Sequence, residues 1–75
     1  MTLNDAQVQK TYTVSDIGGV GNERRRLLDM GFTPETKVNV LTRAPFGGTV
    51  LVSLRNFSVA LREDAASLVL LKGRA

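Results

Sequence analysis

Three consecutive arginines, Arg24, Arg25 and Arg26, are the most chemically distinctive residues of this 75-residue chain. They fall in the first half of a predicted helix, where the helix dipole disfavours each cation by about 0.3–1 kcal/mol. A sequence selected for stability alone would not place them there. Their guanidinium groups can bind an acidic protein surface or phosphates, or they can form a solvated face that pairs weakly with Asp29.

Side chains for catalysis or metal binding are scarce. The chain has no cysteine and no histidine, so thiols and the imidazole of most general bases and zinc sites are missing. The carboxylates fall at predicted turns or exposed faces, and no serine is accompanied by a base. Glu63 and Asp64 are adjacent acids, which are commonly solvated rather than bound to a cation. We expect no enzyme and neither a metal site nor a cofactor.

A glycine-rich segment, Gly18 to Gly21, precedes the helix, as phosphate-binding loops do. It lacks the Lys-Ser/Thr pair of a P-loop, and the chain has no Walker-B strand. We interpret this segment as a flexible crossover from a strand to the helix.

The arginines belong to a short helix predicted over residues 22–30. Asn22 is a suitable N-cap, Gly31 suits the left-handed position after the last turn, and Pro34 prevents the helix from resuming. A helix of this length is too short to be stable alone, so tertiary packing must hold it.

The helical periodicity of about 100° per residue divides the residues of this helix between two faces. Leu27 and Leu28 point inward with Met30 at their edge, whereas Arg25 and Arg26 point outward. Arg24 lies between the two leucines. Its aliphatic stem should therefore follow the protein surface while its guanidinium group reaches an edge or a carboxylate.

Most of the remaining chain alternates apolar and polar residues with the period of two that predicts β-strands. Five strands are predicted, over residues 10–17, 37–43, 50–54, 57–62 and 67–72, with a turn or single helical turn at 63–66. The fold class is mainly β, a small barrel of about five strands with one inserted short α-helix, in a single domain over 1–75.

Local irregularities within these strands give further expectations. A parity change between Val14 and Ile17 predicts a β-bulge. Asn56 can take a positive φ in a tight hairpin at 55–56. The last strand is apolar on both faces and should be covered on both sides. Only the ends, 1–6 and 73–75, should be loosely held.

Two phenylalanines, Phe32 and Phe46, occupy positions where exposure is plausible. Phe46 is at the tip of a Pro/Gly loop and Phe32 follows the helix. They can flank a groove between helix and barrel, or fold inward as core residues. With Tyr12 and Phe57 they are the only aromatic residues, too few for the stacking platform of a single-strand-binding barrel.

The net charge of +3 and the pI near 10.0 are compatible with an acidic partner and equally with solubility alone. The absence of cysteines favours a reducing cytosol. The first ten residues lack the apolar core of a signal peptide, and no apolar run approaches the roughly 20 residues of a spanning helix. We expect a cytoplasmic protein that reaches the inner membrane face only through a partner.

The segment from Arg25 to Pro34 resembles the signature of the FeoA family. The resemblance continues, in the order and spacing of that family, through residues 37–41, 44–47 and 59–62, and covers the chain from Thr2 to Leu71. It implies an SH3-like barrel with one inserted helix and a small cytosolic accessory protein of bacterial ferrous iron uptake. The same domain type is appended to iron-responsive repressors.

Two turns depart from the pattern of the family. The family often has glycine after the proline of its Thr-Pro turn, where this chain has Glu35, and this argues for a type I rather than a type II turn. The family also often has glycine in the hairpin that here reads Arg55-Asn56.

The partner implied by the resemblance is the FeoB-type membrane ferrous iron transporter, bound through its cytoplasmic, GTPase-bearing region. We expect charge complementarity from the arginines and apolar contacts from four other residues. The complete predicted docking set is Arg24, Arg25, Arg26, Leu28, Met30, Phe32 and Phe46. The alternative is a basic SH3-like module whose same surface binds nucleic acid or another acidic partner non-specifically. Nucleic-acid binding of this kind has an affinity that falls steeply as salt rises.

Overall fold

The computed structural model describes residues 1–72 and contains one five-stranded antiparallel sheet with the strand order β4-β3-β2-β1-β5. The strands are β1 (Thr11–Ile17), β2 (Lys37–Arg43), β3 (Thr49–Leu54), β4 (Phe57–Arg62) and β5 (Val69–Leu71). A ten-residue helix, α1 (Gly21–Met30), joins β1 to β2, and a single helical turn, α2 (Glu63–Ala66), joins β4 to β5. The predicted mainly β fold, five strands with one inserted short helix, is confirmed.

One face of the central strands forms the core. Val38 and Val40 of β2 and Val50, Val52 and Leu54 of β3 are buried, and the residues between them are partly or fully exposed. Removing each of these side chains from water stabilises the folded state by about 1.5–3 kcal/mol. Buried and exposed residues therefore alternate along these strands with the period of two that the sequence predicted.

The predicted β-bulge in β1 is confirmed. The register between β1 and β5 shifts between Val14 and Asp16, so that Val14 and Ile17, three positions apart, are both buried. The extra residue in one strand allows two side chains of opposite parity to reach the same core.

The N-terminal segment is ordered, contrary to prediction. A 3₁₀ turn at Leu3–Asp5 buries Leu3 completely, and Ala6 is buried beside it. The Arg43 guanidinium donates hydrogen bonds to the backbone oxygens of Leu3 at 2.6 Å and Ala6 at 2.7 Å. The expectation failed because the partner that orders this segment lies about 40 residues away in the sequence. The prediction for 73–75 lies outside the described residues.

The helix start also differs from prediction. Helix α1 begins at Gly21, its N-cap is Val20, and no side chain caps it, so Asn22 lies inside the first turn. Between β1 and the helix, the backbone takes a left-handed conformation that favours glycine, with Gly21 at a φ of +65°. The predicted helix end is confirmed: Gly31 has a φ of +110°, and the Phe32 amide donates to the Leu27 oxygen at 3.1 Å.

The last strand is covered on one face only. Val69 and Leu71 are buried, but Leu70 between them is 36% exposed, so the expectation of two covered faces is wrong. Strand β5 is an edge strand, and the core reaches only its inner face.

The Thr33–Thr36 turn is type II, and the prediction of type I is wrong. Glu35 has a φ of +76°, while the Thr36 amide donates to the Thr33 oxygen at 3.1 Å. The Glu35 amide donates to the Val14 oxygen at 2.8 Å, and Lys72 Nζ lies 2.8 Å from a Glu35 carboxylate oxygen. These contacts hold Glu35 in a conformation that an L-residue rarely adopts.

The β3–β4 hairpin is as tight as predicted, with Leu54 paired to Phe57. The residue with the positive φ is Arg55, at +54°, and not Asn56 as expected. A positive φ at the first loop residue alone is the pattern of a type II′ turn, which closes a two-residue hairpin as well as the type I′ turn does.

The strain at Glu35 predicts that Glu35→Gly is more stable than Glu35→Ala. A left-handed φ costs an L-residue about 1–2 kcal/mol. Glycine avoids this cost, but it loses more conformational entropy on folding than alanine does, which offsets about 0.5–1 kcal/mol of the gain. Both variants lose the ion pair with Lys72, so their difference isolates the backbone effect. We expect the melting temperature of Glu35→Gly, measured by circular dichroism, to exceed that of Glu35→Ala by about 4–8 °C for each kcal/mol of difference in stability. Equal melting temperatures would contradict the strain.

Candidate docking surface

Arg25 and Arg26 lie on the exposed face of α1, as predicted. Within residues 1–72 the ion pairs are Arg24 with Asp16 and Lys72 with Glu35, and neither Arg25 nor Arg26 takes part. The weak pairing with Asp29 considered from the sequence is therefore not formed. The guanidinium groups of Arg25 and Arg26 remain in solvent, in the N-terminal part of the helix, where the helix dipole disfavours positive charge.

Arg24 is engaged within the chain. Its Nε donates a hydrogen bond to the Ile17 backbone oxygen at 3.2 Å, and its Nη2 lies 3.8 Å from Asp16 Oδ1. This agrees with the prediction that its stem follows the surface and its head group reaches a carboxylate. Because these contacts tie α1 to β1, Arg24 positions the helix more than it offers free charge to a partner.

Phe32 is completely buried, so the structure removes it from the docking surface. The physical reason is the helix ending: after Gly31 the chain turns back toward the sheet, and the next side chain points into the core. Phe32 is the largest of the fully buried side chains. The alternative considered from the sequence, an inward-folded core residue, is the one observed.

The other apolar candidates differ in exposure. Leu28 and Met30 are half-buried and pack against the core, so each offers only part of its surface. Phe46 is fully exposed in the loop between β2 and β3. Val20, at the start of α1, is 82% exposed and was not singled out from the sequence, although an apolar residue between Gly19 and Gly21 was an available sign.

A groove of about 510 Å³ lies between α1 and the edge strand β4. Its apolar lining includes Leu27 and Met30 from α1, Ala60 from β4 and Leu68. The sequence contained no local signal for Ala60 and Leu68, because they reach the groove only through the packing of distant elements.

Charged residues of both signs surround this apolar lining. Arg26 and Glu23 line the groove from α1, and Arg62 and Asp64 line it from β4 and α2. Arg26, one of the two solvent-exposed arginines, therefore connects the basic face of the helix to the apolar groove.

Phe46 does not line the groove but lies in a loop beside α2. A Cβ atom at Gly47 would lie 3.5 Å from a Glu63 carboxylate oxygen, which places the loop next to the first residue of α2. The next residue of that helix, Asp64, lines the groove. The exposed phenylalanine and the groove are therefore on neighbouring parts of the surface.

Among residues 1–72, no three His, Cys, Asp or Glu side chains lie together in a way that could hold a metal ion. In the same part of the chain, no helix has the length and apolar character needed to cross a membrane.

Comparison with protein families gives one decisive match. A family model of the FeoA domain matches residues 1–72. The chain belongs to the FeoA family. This membership confirms the resemblance read from the residues around α1 and associates the chain with iron transport.

Solved structures agree with this FeoA assignment. A FeoA-like protein of Clostridium acetobutylicum is 28% identical, with a TM-score of 0.88 over 96% of this chain and 84% of that chain. FeoA of Stenotrophomonas maltophilia, solved with zinc, is 25% identical, with a TM-score of 0.86 over 96% of this chain and 89% of that one. It is described as an SH3 domain protein suggested to be a bacterial ferrous iron transport activating factor.

The same fold occurs inside larger regulators. A manganese-dependent transcriptional repressor is 24% identical, with a TM-score of 0.82, over 96% of this chain and 41% of the repressor. At this identity the likeness concerns the fold alone. A search of curated proteins gave no match.

The contrast between Phe32 and Phe46 predicts opposite effects of the same substitution. Phe32→Ala removes a buried ring and should destabilise the domain by about 3–5 kcal/mol, enough to unfold a small domain. Phe46→Ala should change the free energy of unfolding by less than about 0.5 kcal/mol. Urea denaturation of both variants measures the difference. Comparable losses would show that the division between core and surface is wrong.

Proposed function

We propose that this FeoA-family chain is a cytoplasmic accessory protein of ferrous iron uptake. It docks on the cytoplasmic, GTPase-bearing region of the membrane ferrous iron transporter and acts by binding rather than by catalysis. The single observation that carries the proposal is that Arg25 and Arg26, exposed beside an apolar groove, form no ion pair with any of residues 1–72. The transporter and its GTPase domain come from the family resemblance.

The two kinds of contact have different tasks in this docking. Exposed charges mainly raise the rate of encounter and make it dependent on salt, whereas buried apolar contacts mainly set the residence time. Arg25 and Arg26 serve the first task. Met30 and the exposed Phe46 serve the second, with Leu28 contributing the part of its side chain that remains accessible.

The size of the molecule limits the docking face. A standard protein interface buries about 800 Å² on each partner, which is about a sixth of the 4767 Å² that this chain exposes. An interface of that size reaches beyond α1. The neighbouring groove and the Phe46 loop both present exposed apolar atoms, so we include them in the docking face.

Charge reversal of the helix face tests the proposal. The double variant Arg25→Glu/Arg26→Glu should bind the cytoplasmic region of the transporter at least tenfold more weakly than wild type, because attraction becomes repulsion. Calorimetric titration at about 50 mM and 300 mM salt measures the affinity. The loss should shrink at the higher salt, where exposed charges are screened.

The matched control is Lys10→Glu/Lys37→Glu, which changes the net charge equally at two exposed positions outside the groove. This control should retain wild-type affinity. If Arg25→Glu/Arg26→Glu also binds like wild type, the docking face is wrong. Retardation of nucleic acid in a low-salt gel shift, lost in the same variant, would instead support the nucleic-acid alternative.

A further inference from the structure

The two edge strands of the sheet differ in whether another segment of the chain pairs with them. Strand β5 is three residues long, and the N-terminal segment covers it: Thr2 forms a β-bridge with Leu70, and the Leu71 amide donates to the Met1 oxygen at 2.8 Å. Strand β4 forms the opposite edge, with six residues paired only to β3. Natural sheets commonly shield such edges with short strands, bulges, proline or charge.

The open backbone groups of β4 can be identified from its hairpin. A two-residue loop closes with a hydrogen-bonded pair, here Leu54 with Phe57, and hydrogen-bonded pairs then alternate along the ladder. The backbone groups of Val59 and Leu61 therefore face β3, and those of Ser58, Ala60 and Arg62 face away. Within residues 1–72, the backbone groups of Ser58 and Ala60 form no hydrogen bond in a turn, loop or cap, whereas the oxygen of Arg62, the N-cap of α2, is placed to accept the first bond of that helix.

This open edge has few of the usual protections. The register of β4 on β3 is continuous over six pairs, without a bulge, and the strand contains no proline. Arg62, at its end, is its one charged residue. The edge also leads into the groove, since Ala60 and Arg62 line it together with Leu27 and Met30 of α1.

We infer that the open edge of β4 receives an extended segment of the docking partner, which adds a sixth strand to the sheet. The inference rests on the proposed function and specifies the structural element that docks. The backbone of the segment pairs with Ser58 and Ala60 and with the amide of Arg62. Its side chains alternate, so that apolar residues on one face contact Leu27 and Met30 in the groove.

The charges of the groove specify the segment further. Arg26 and Arg62 line it from opposite walls beside Glu23 and Asp64, and none of the four forms an ion pair with a described residue. Arg25, next to Arg26 on α1, gives the surface around the groove an excess of positive charge. A carboxylate on the segment can pair with Arg26 or Arg62, and such charge-assisted hydrogen bonds are stronger than neutral ones. The occupant is therefore an extended polypeptide with alternating apolar residues and at least one acidic residue.

A second copy of this chain fits the edge less well. Antiparallel pairing of two β4 strands would bring two α1 helices to one seam, because α1 lines the groove beside that edge. Each helix carries the exposed Arg25 and Arg26, and each chain has a net charge of +3, so the two copies repel. This charge excess favours a partner with acidic residues.

Amide hydrogen exchange tests the inference directly. The full chain is studied by NMR, alone and saturated with the cytoplasmic region of the transporter. The amides of Ser58, Ala60 and Arg62 should exchange at least tenfold more slowly in the complex. The amides of Val59 and Leu61, already bonded to β3, serve as internal controls and should be protected in both states.

Three results overturn the inference, and they are distinguishable. Binding without slower exchange at these three amides refutes strand addition and leaves the proposed docking intact. No binding at all refutes the proposed function as well. Slower exchange that develops when the chain alone is concentrated identifies a second copy as the occupant.

A proline variant provides an independent measurement. Ala60→Pro removes an outward-facing amide, which an edge strand tolerates, and should weaken binding to the same region at least tenfold. Ala60→Ser keeps the amide and should bind within about threefold of wild type. Wild-type affinity of a folded Ala60→Pro refutes strand addition, and if that variant does not fold, the exchange measurement decides.

Discussion

The burial of one face of every strand against a single apolar core is the constraint on which the rest of this structure depends. The chain has no disulfide, so its 75 residues must supply the necessary burial themselves. The core accordingly takes side chains from all five strands, both helices and the N-terminal turn. Leu3, Leu27 and Ala66 close it where the strands alone would leave it open. Helix α1 is too short to be stable by itself and is held by Leu27, by its partly buried neighbours and by the contacts of Arg24 with β1.

Because the inner faces of the strands and of α1 pack the core, only the outer surface is available for recognition. The same ten-residue helix packs Leu27 inward and presents Arg25 and Arg26 outward, so one element serves stability on one side and charge on the other. The arginines oppose the helix dipole, at a cost of some tenths of a kcal/mol each. A fold this small can carry that cost because the helix is fixed by packing and not by its own propensity. The proposed docking uses this outer surface.

Strand order decides which edge of the sheet stays open. The chain begins beside β5 and covers it, whereas no segment within residues 1–72 covers β4. Helix α1 lies on the other side of the groove from that open edge. The hairpin between β3 and β4 meets the end of α1, where a Cβ atom at Gly31 would lie 3.3 Å from the Leu54 side chain. The open edge, the groove and the arginine face are therefore parts of one continuous surface, although they come from separate parts of the sequence.

The sequence by itself determined the features that depend on neighbouring residues. Alternation of apolar residues located the strands, helical periodicity assigned Arg25 and Arg26 to the outer face, and Gly31 marked the helix end. The parity change in β1 located the bulge, and the pattern around α1 indicated the FeoA family.

Tertiary structure alone decided what depends on residues far apart in the chain. Hydrogen bonds from Arg43 order the N-terminus, and contacts with Val14 and Lys72 hold Glu35 in a type II turn. The turn after α1 buries Phe32, and the approach of α1 to β4 creates the groove. The physical reason is that local patterns report backbone conformation and side-chain polarity. A groove, an edge or a strained turn arises only when distant segments pack together.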